Sequence, residues 1–382
     1  MQYFWGCYWD TCVFIVWCLT WARRGRPPKK EYELAVIPQE LLDMVDEVYR
    51  CGILCRVHLR RRNQGEMIMF AGIMAGIAWA LETIILGIAL AMAPFVSSEQ
   101  AVFLAPFVST FLHDACSAVW ATIYNGARGN LRNVLSCLKK NGGRFVIVAA
   151  VIGGPVGMTG YVLAVNYMGA SIGAVASAIY AAIGAVLAYF FLKEKMQWYR
   201  WVLLAAMLLG VFGLSYSPEL NIHNFWMGLI GALMCAFGWG IEAVILAKCM
   251  QDPEVKDEYA LQIRQTTSAV VNGLIILPAL KGWGFTTNLF TSGTGWLLPT
   301  IAIAAFFATV SYLFYYRAIA QIGASKAMAL NASYSAWAIV FTVLILRDFS
   351  VLTPVTIICA VVVLVCGILA SADFKDLMGK HG

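Results

Sequence analysis

From Met67 onward the sequence falls into ten apolar runs separated by short polar joints. The runs cover about 67–92, 101–124, 145–166, 170–192, 199–216, 226–248, 259–280, 296–316, 325–346 and 352–371. Each is close to the roughly 20 residues that a helix needs to cross about 30 Å of hydrocarbon. Backbone groups in lipid must be satisfied internally, so such runs predict helices; a barrel would show short alternating segments instead. Pro94, Pro106, Pro155, Pro278 and Pro299 fall in or at the ends of these runs and predict kinks or boundaries.

The pattern repeats. AGIMAGIAWALETIIL at 71–86 aligns with GALMCAFGWGIEAVIL at 231–246, keeping Met74/Met234, Trp79/Trp239, Glu82/Glu242, Ile85/Ile245 and Leu86/Leu246. The fourth and ninth runs match as well: GAS at 169–171 with GAS at 323–325, Tyr180 with Tyr334, and LKE at 192–194 with LRD at 346–348. Each half therefore holds five runs, and an odd number inverts the second half across the membrane. The expectation is an all-α polytopic membrane protein, a ten-helix bundle of two inverted five-helix repeats. It divides into residues 67–216 and 217–372, followed by a cytoplasmic tail at 373–382. Inverted repeats are common in secondary transporters, whose sites lie at the repeat interface near mid-membrane.

Residues 1–66 stand apart as an N-terminal extension. An aromatic apolar stretch over 1–22 precedes Arg23, Arg24, Arg26, Lys29 and Lys30. It reads as an extra membrane anchor rather than a signal peptide, because the charges follow the apolar run. Residues 39–50 read as a surface helix.

Composition agrees with the pattern. The chain is 61% hydrophobic and 13% charged, against about 45–50% and about 25% in soluble domains, which excludes a soluble enzyme. The net charge of +6 acquires meaning from its placement. With the first core run starting in the cytoplasm, fourteen Lys and Arg of the core lie inside, and only Lys281 and Arg347 lie outside. This positive-inside bias puts the C-terminus in the cytoplasm, suiting a bacterial inner membrane. The basic residues meet the lipid bilayer and its anionic headgroups and give no reason to expect nucleic acid. The cysteines are scattered singly, the best-spaced pair being Cys51 and Cys55 without nearby histidines; small buried hydrophobes are the expectation, with no metal and no disulfide framework. Nucleotide-binding, hydrolase and metalloprotease motifs are lacking, so no cofactor and no enzyme activity are expected.

Glu82 and Glu242 are the conspicuous residues. A charge at the centre of a membrane helix costs about 2.5–3.5 kcal/mol on insertion scales, and here it recurs at matched places. Trp79 and Trp239 sit three residues earlier, on the same helix face. Tyr180 and Tyr334 lie near mid-span with Ser177 and Asn331 three residues before them, and Trp337 follows Tyr334. Aromatic faces beside carboxylates suit a weakly hydrated cation such as a quaternary ammonium. The competing readings are a protonated structural carboxyl and aromatic interface anchors. His113 and Asp114, inside the second run, relay protons or cap a helix break. Arg264, in QIRQTT at the start of the seventh run, is expected to snorkel to headgroups. Gly153, Gly154, Pro155 and Gly157 mark a hinge or a close packing point. The stripe Gly169, Gly173, Ser177, Ala181 and Ala185 reads as a packing ridge.

Ten runs in two inverted halves, with GASIGAVASAIYAAIGAVLAYFFLKEK at 169–195, resemble the EamA-like branch of the drug/metabolite transporter superfamily. Trp79-x-x-Glu82 is similar to the bacterial choline-permease group within it. The resemblance implies a central pocket between the halves, an aromatic cage for a trimethylammonium group, and proton coupling. The resulting expectation is a secondary transporter of a small organic cation. The superfamily also holds amino-acid exporters and nucleotide-sugar carriers, so an exporter of amino acids or drugs stays open. So does a non-transporting receptor or assembly protein, although such a protein has no use for matched mid-membrane Trp–Glu pairs.

Overall fold

A computed structural model describes residues 70–215, 224–291 and 295–371. The expectations for residues 1–66 and for the tail at 373–382 lie outside the described residues. All regular structure among the described residues is helical. We number the helices α1 (Phe70–Leu90), α2 (Glu99–Ala127), α3 (Leu131–Leu138), α4 (Asn141–Val151), α5 (Thr159–Phe191), α6 (Trp198–Ser215) and α7 (Phe225–Cys249). The rest are α8 (Asp257–Ala279), α9 (Trp283–Thr291), α10 (Leu297–Ile322), α11 (Ala324–Asn331), α12 (Tyr334–Phe341) and α13 (Pro354–Ser371).

A helical segment stands at each of the ten expected positions. Among the described residues, seven segments are long and apolar enough to cross a membrane, or eight if the bent pair α8–α9 is one span. Ala178–Phe191 and Trp198–Leu214 are shorter apolar helices. The bent pair was not foreseen: α8 breaks after Ala279, and α9 leaves at 112°. Lys281, with φ 54°, and Gly282 make the corner. Large apolar side chains such as Phe190, Leu209, Leu274 and Ile358 are exposed on the outside of the bundle, as lipid-facing positions require.

The third and fourth expected spans are joined in α5, whose helical hydrogen bonding runs over 33 residues. A straight helix cannot make the contacts seen. Gly160 abuts Gly231 and Gly184 abuts Gly240 on α7. That is a separation of about 36 Å along a straight α5, but only about 14 Å along α7. Asn224 N lies 3.5 Å from Tyr167 O, so the first limb reaches the start of α7 before the chain turns back. Both limbs therefore lie on α7, making it the centre of the bundle.

The repeat is visible in the backbone. LKE at 192–194 and LRD at 346–348 are matched in sequence, and their middle residues Lys193 and Arg347 have φ of 55° and 54°. Both are left-handed residues closing a membrane helix, as at many helix C-termini. The carboxylate of Glu194 then accepts from Ala324 N at 2.8 Å and Ser325 N at 3.2 Å, and from the Ser325 hydroxyl. This satisfies the free N–H groups that open α11. On the packing ridge, Ala181 and Ala185 are buried; the side chains of Gly169, Gly173 and Ser177 lie outside the described residues.

The Gly160–Gly231 crossing tests this packing. A Cβ on Gly160 would stand 2.6 Å from Gly231 O, and one on Gly231 would stand 2.6 Å from Gly160 O. Gly160→Val and Gly231→Val should each destabilise the bundle by about 1–3 kcal/mol through overpacking, read as a lowered melting midpoint in detergent.

Candidate functional site

The matched residues of the two halves meet. Trp79 on α1 and Trp239 on α7 are both buried, with ring centroids 5.4 Å apart at 87°. Edge-to-face contact of this kind places a positive ring edge against a negative face. Tyr312 on α10 lies edge-on to Trp79 at 5.2 Å, and Tyr180 on α5 edge-on to Trp239 at 5.7 Å. Trp239 Nε1 donates to Gly153 O at 3.0 Å. Gly153 belongs to a π-helical turn, Ile152–Met158, inside the third span. Such turns widen a helix locally and are frequent at functional sites.

The same turn makes room for the carboxylate. A Cβ on Gly153 would fall 1.8 Å from Glu242 Oε2, and one on Gly157 would fall 2.6 Å from the Trp239 ring. The glycine stretch is thus a close packing point in this conformation: the bare backbone is what lets Trp239 and Glu242 lie against it.

Glu82 and Glu242, equivalent in sequence, have different surroundings. Glu242 Oε1 accepts from Arg264 Nε at 3.0 Å and from the Tyr316 hydroxyl at 3.2 Å. Arg264 also reaches Gln265 Oε1 at 2.7 Å and stands 3.6 Å from Asp114 Oδ1. Asp114 Oδ2 accepts a short hydrogen bond from the Ser268 hydroxyl, and Oδ1 lies 3.0 Å from His113 Nδ1. His113 Nε2 faces Glu82 Oε1 at 3.4 Å. Glu82 Oε2 accepts from Thr83 at 3.3 Å. His113, Asp114, Arg264 and Glu82 are completely buried and Glu242 nearly so. A continuous chain of ionisable groups therefore runs from Glu82 to Glu242 through α2 and α8.

This corrects the expectation for Arg264. It does not snorkel to headgroups; it is fully buried, with its guanidinium 4.8 Å from the Tyr312 ring centroid. It lies two turns inside α8 on a face that meets Glu242 and Asp114. Two buried carboxylates offer an arginine more than a headgroup does, because removing either partner would leave an unpaired charge in the bundle. His113 and Asp114 do not cap a break: α2 runs unbroken past both.

A small cavity sits beside this chain, lined by Trp79, Tyr180, Trp239, Glu242, Ala243, Leu246, Ser311, Tyr312, Tyr315 and Asn331. Its volume is about 20 Å³, room for one water. Asn331 Nδ2 donates to Tyr180 OH at 2.9 Å. Trp79 Nε1, Asn331 Oδ1 and Tyr312 OH are buried with no hydrogen-bond partner among the described residues.

Of the residues singled out from sequence, Trp79, Tyr180, Trp239, Glu242 and Asn331 line this cavity. Glu82, His113 and Asp114 stand behind it in the ionisable chain. Tyr334 is buried in the core, and Trp337 packs at the core's edge; neither lines the cavity. The Ser177 side chain lies outside the described residues. Sequence reasoning missed Tyr312, Tyr315 and Tyr316, whose signal is the run YLFYY in the eighth span, and the pairing of Arg264, whose signal is one charge among the glutamines of the seventh. Among the described residues no group of three His, Cys, Asp or Glu could hold a metal ion.

The EamA-like transporter family matches this chain twice, over residues 66–216 and 226–372. The chain belongs to that family. It is a multi-pass membrane transporter built from two copies of one repeat. Protein LicB of Haemophilus influenzae is 27% identical over 233 residues, covering 60% of this chain and 75% of its own. A solved crystal structure, 17% identical, covers 80% of this chain and 96% of its own with a TM-score of 0.53, a likeness of fold.

The fit of Glu242 against Gly153 can be tested with a control on another helix. Gly153→Ala forces the carboxylate away from Arg264 and Tyr316 and should cost about 1–3 kcal/mol. Gly87→Ala, where an added Cβ meets nothing among the described residues within 4 Å, should leave the melting midpoint unchanged or slightly raised.

Proposed function

We propose that this transporter moves a small organic cation of the quaternary-ammonium type, choline-like, by alternating access, with protons as the coupling ion. The observation that carries the reading is the cavity wall: Trp79, Tyr180, Trp239, Tyr312 and Tyr315 gathered around the Glu242 carboxylate. Ring faces attract a weakly hydrated cation, most strongly where water is excluded. Charge balance favours the same ligand. Glu82, Asp114 and Glu242 stand against one guanidinium and one imidazole, so the site is formally negative even with the imidazole protonated. The partnerless Trp79 Nε1, Asn331 Oδ1 and Tyr312 OH suit a ligand that also carries a hydroxyl. The resemblance of Trp79-x-x-Glu82 to the choline-permease group points the same way.

The cavity is far too small for a trimethylammonium group, so binding requires the two halves to part. In an inverted-repeat transporter that motion is the rocking of one half against the other around a fixed site. Tyr334 and Trp337, near Asn331 in sequence on the broken ninth span, are proposed as further aromatic residues that such an opening would offer. Ser177 sits one turn before Tyr180 on the fourth. For the proton, the proposed route is His113 between Glu82 and Asp114, with Glu242 at the cavity end. The proposed setting is a bacterial inner membrane with the C-terminus in the cytoplasm.

Proteoliposomes test this directly. Wild-type protein should take up choline in a saturable, pH-dependent manner, and Glu82→Gln and Glu242→Gln should each reduce uptake about tenfold or more and flatten its pH dependence. Variants that keep full, equally pH-dependent uptake would remove proton exchange from the reading. A wild type that neither binds nor carries choline or tetramethylammonium would remove the cation.

A further inference from the structure

Arg264 occupies an unusual place beside the cavity. Its guanidinium lies 4.8 Å from the centroid of the Tyr312 ring, and its Nε holds Glu242 Oε1 at 3.0 Å. Tyr312 and Glu242 both line the cavity, whereas Arg264 does not. A quaternary ammonium entering the cavity would draw on the same two groups, one for its π face and the other for its charge. The protein's own cation already uses both.

Resting on the cation reading above, we infer that Arg264 is a built-in competitor of the substrate. It holds Glu242 and Tyr312 while the cavity is closed and gives them up when an external cation enters. The surroundings provide somewhere for it to go. Its Nη1 is 3.6 Å from Asp114 Oδ1, short of a hydrogen bond, and is tied instead to Gln265 Oε1 at 2.7 Å. Its Nη2 is buried with no hydrogen-bond partner among the described residues. A small rotation toward Asp114 closes the first gap, satisfies a second donor and keeps the guanidinium paired throughout. Each charge stays paired in the exchange: the incoming cation, whose charge offsets the formal negative charge of the site, replaces the guanidinium at Glu242, and the guanidinium moves onto Asp114.

The arrangement links binding to the motion of the halves. Arg264 is carried by α8 and Glu242 by α7, both in the second half, while Asp114 is carried by α2 in the first. Passing Arg264 from Glu242 to Asp114 loosens a contact within one half and tightens a contact between halves. Entry of substrate therefore biases the packing of one half against the other, which is the differential interaction that a ligand needs in order to shift a conformational equilibrium.

A competitor that holds the site most of the time lowers the apparent affinity by the fraction it leaves available. Weakening it should therefore tighten binding, the reverse of what a supporting residue would do. Tetramethylammonium is the probe, titrated against tryptophan fluorescence, with choline uptake measured in parallel. Arg264→Lys keeps the charge but loses the planar fork that spans Glu242, Gln265 and the Tyr312 face. We expect its Kd for tetramethylammonium to fall about tenfold, with a lower KM and a kcat reduced by a similar factor. Gln265→Ala is the second variant. It leaves every charge in place and frees Nη1 to close on Asp114; its Kd should fall about threefold, so the test stands even where Arg264→Lys does not fold. A Kd that is unchanged or raised in these variants, with the wild type binding normally, overturns this inference and leaves the cation reading intact. A wild type that binds neither probe overturns both.

Discussion

Five ionisable side chains on four helices, buried together in a bundle that excludes water, are the constraint around which this structure is arranged. Glu82 on α1, His113 and Asp114 on α2, Arg264 on α8 and Glu242 on α7 touch in sequence. Each costs free energy to bury, and the attraction between neighbours in a low dielectric returns that cost only when every member has a partner. Such a chain is a poor source of stability, because apolar residues of the same volume would often hold the helices together as well. What apolar residues cannot supply is a connection that changes when one charge is added or removed. The network contributes that connection, and the helices must keep their register to preserve it.

The rest of the site follows from making room for this chain. Glu242 can reach Arg264 and Tyr316 because the π-helical turn at Ile152–Met158 presents Gly153 where any side chain would collide. The same turn turns the Gly153 carbonyl toward Trp239 Nε1, which fixes the indole edge-on to Trp79. Charge placement and aromatic placement are thus set by one local widening of one helix. Glycine faces on α5 and α7 carry the close approach onward through the Gly160–Gly231 crossing.

Much of this was legible from spacing. Matched carboxylates in two halves stood out because so little of the chain is charged, and the LKE and LRD pair marked a feature that the backbone repeats in its left-handed residues Lys193 and Arg347. Pairings across helices were not legible. Arg264 sits near a helix start, where a long cationic side chain reaches the interface with ease, and nothing in QIRQTT tells that it turns inward toward Glu242. The tyrosines of YLFYY were hidden for a similar reason: an aromatic residue in an apolar span packs against lipid, protein or ligand with the same sequence signature. Which it does is decided by the helix rotation, and that depends on neighbours far away in the chain. The fold-back of α5 was better seen in sequence than in the helical hydrogen bonding, because the two apolar runs are each one membrane thickness long.

The two repeats begin from the same Trp-x-x-Glu and end in different chemistry, and this difference bears on how the proposed transport would work. Glu82 faces an imidazole, while Glu242 faces a guanidinium and a phenol. An imidazole can take up and release a proton, whereas a guanidinium stays charged and can only be moved. The Glu82 end is therefore suited to exchanging protons and the Glu242 end to exchanging one cation for another. Net direction is decided by the gradients across the membrane and not by this asymmetry. In the proposed cycle the asymmetry would keep the two exchanges from competing for one carboxylate, while Asp114 lies between His113 and Arg264 and would let each be felt by the other.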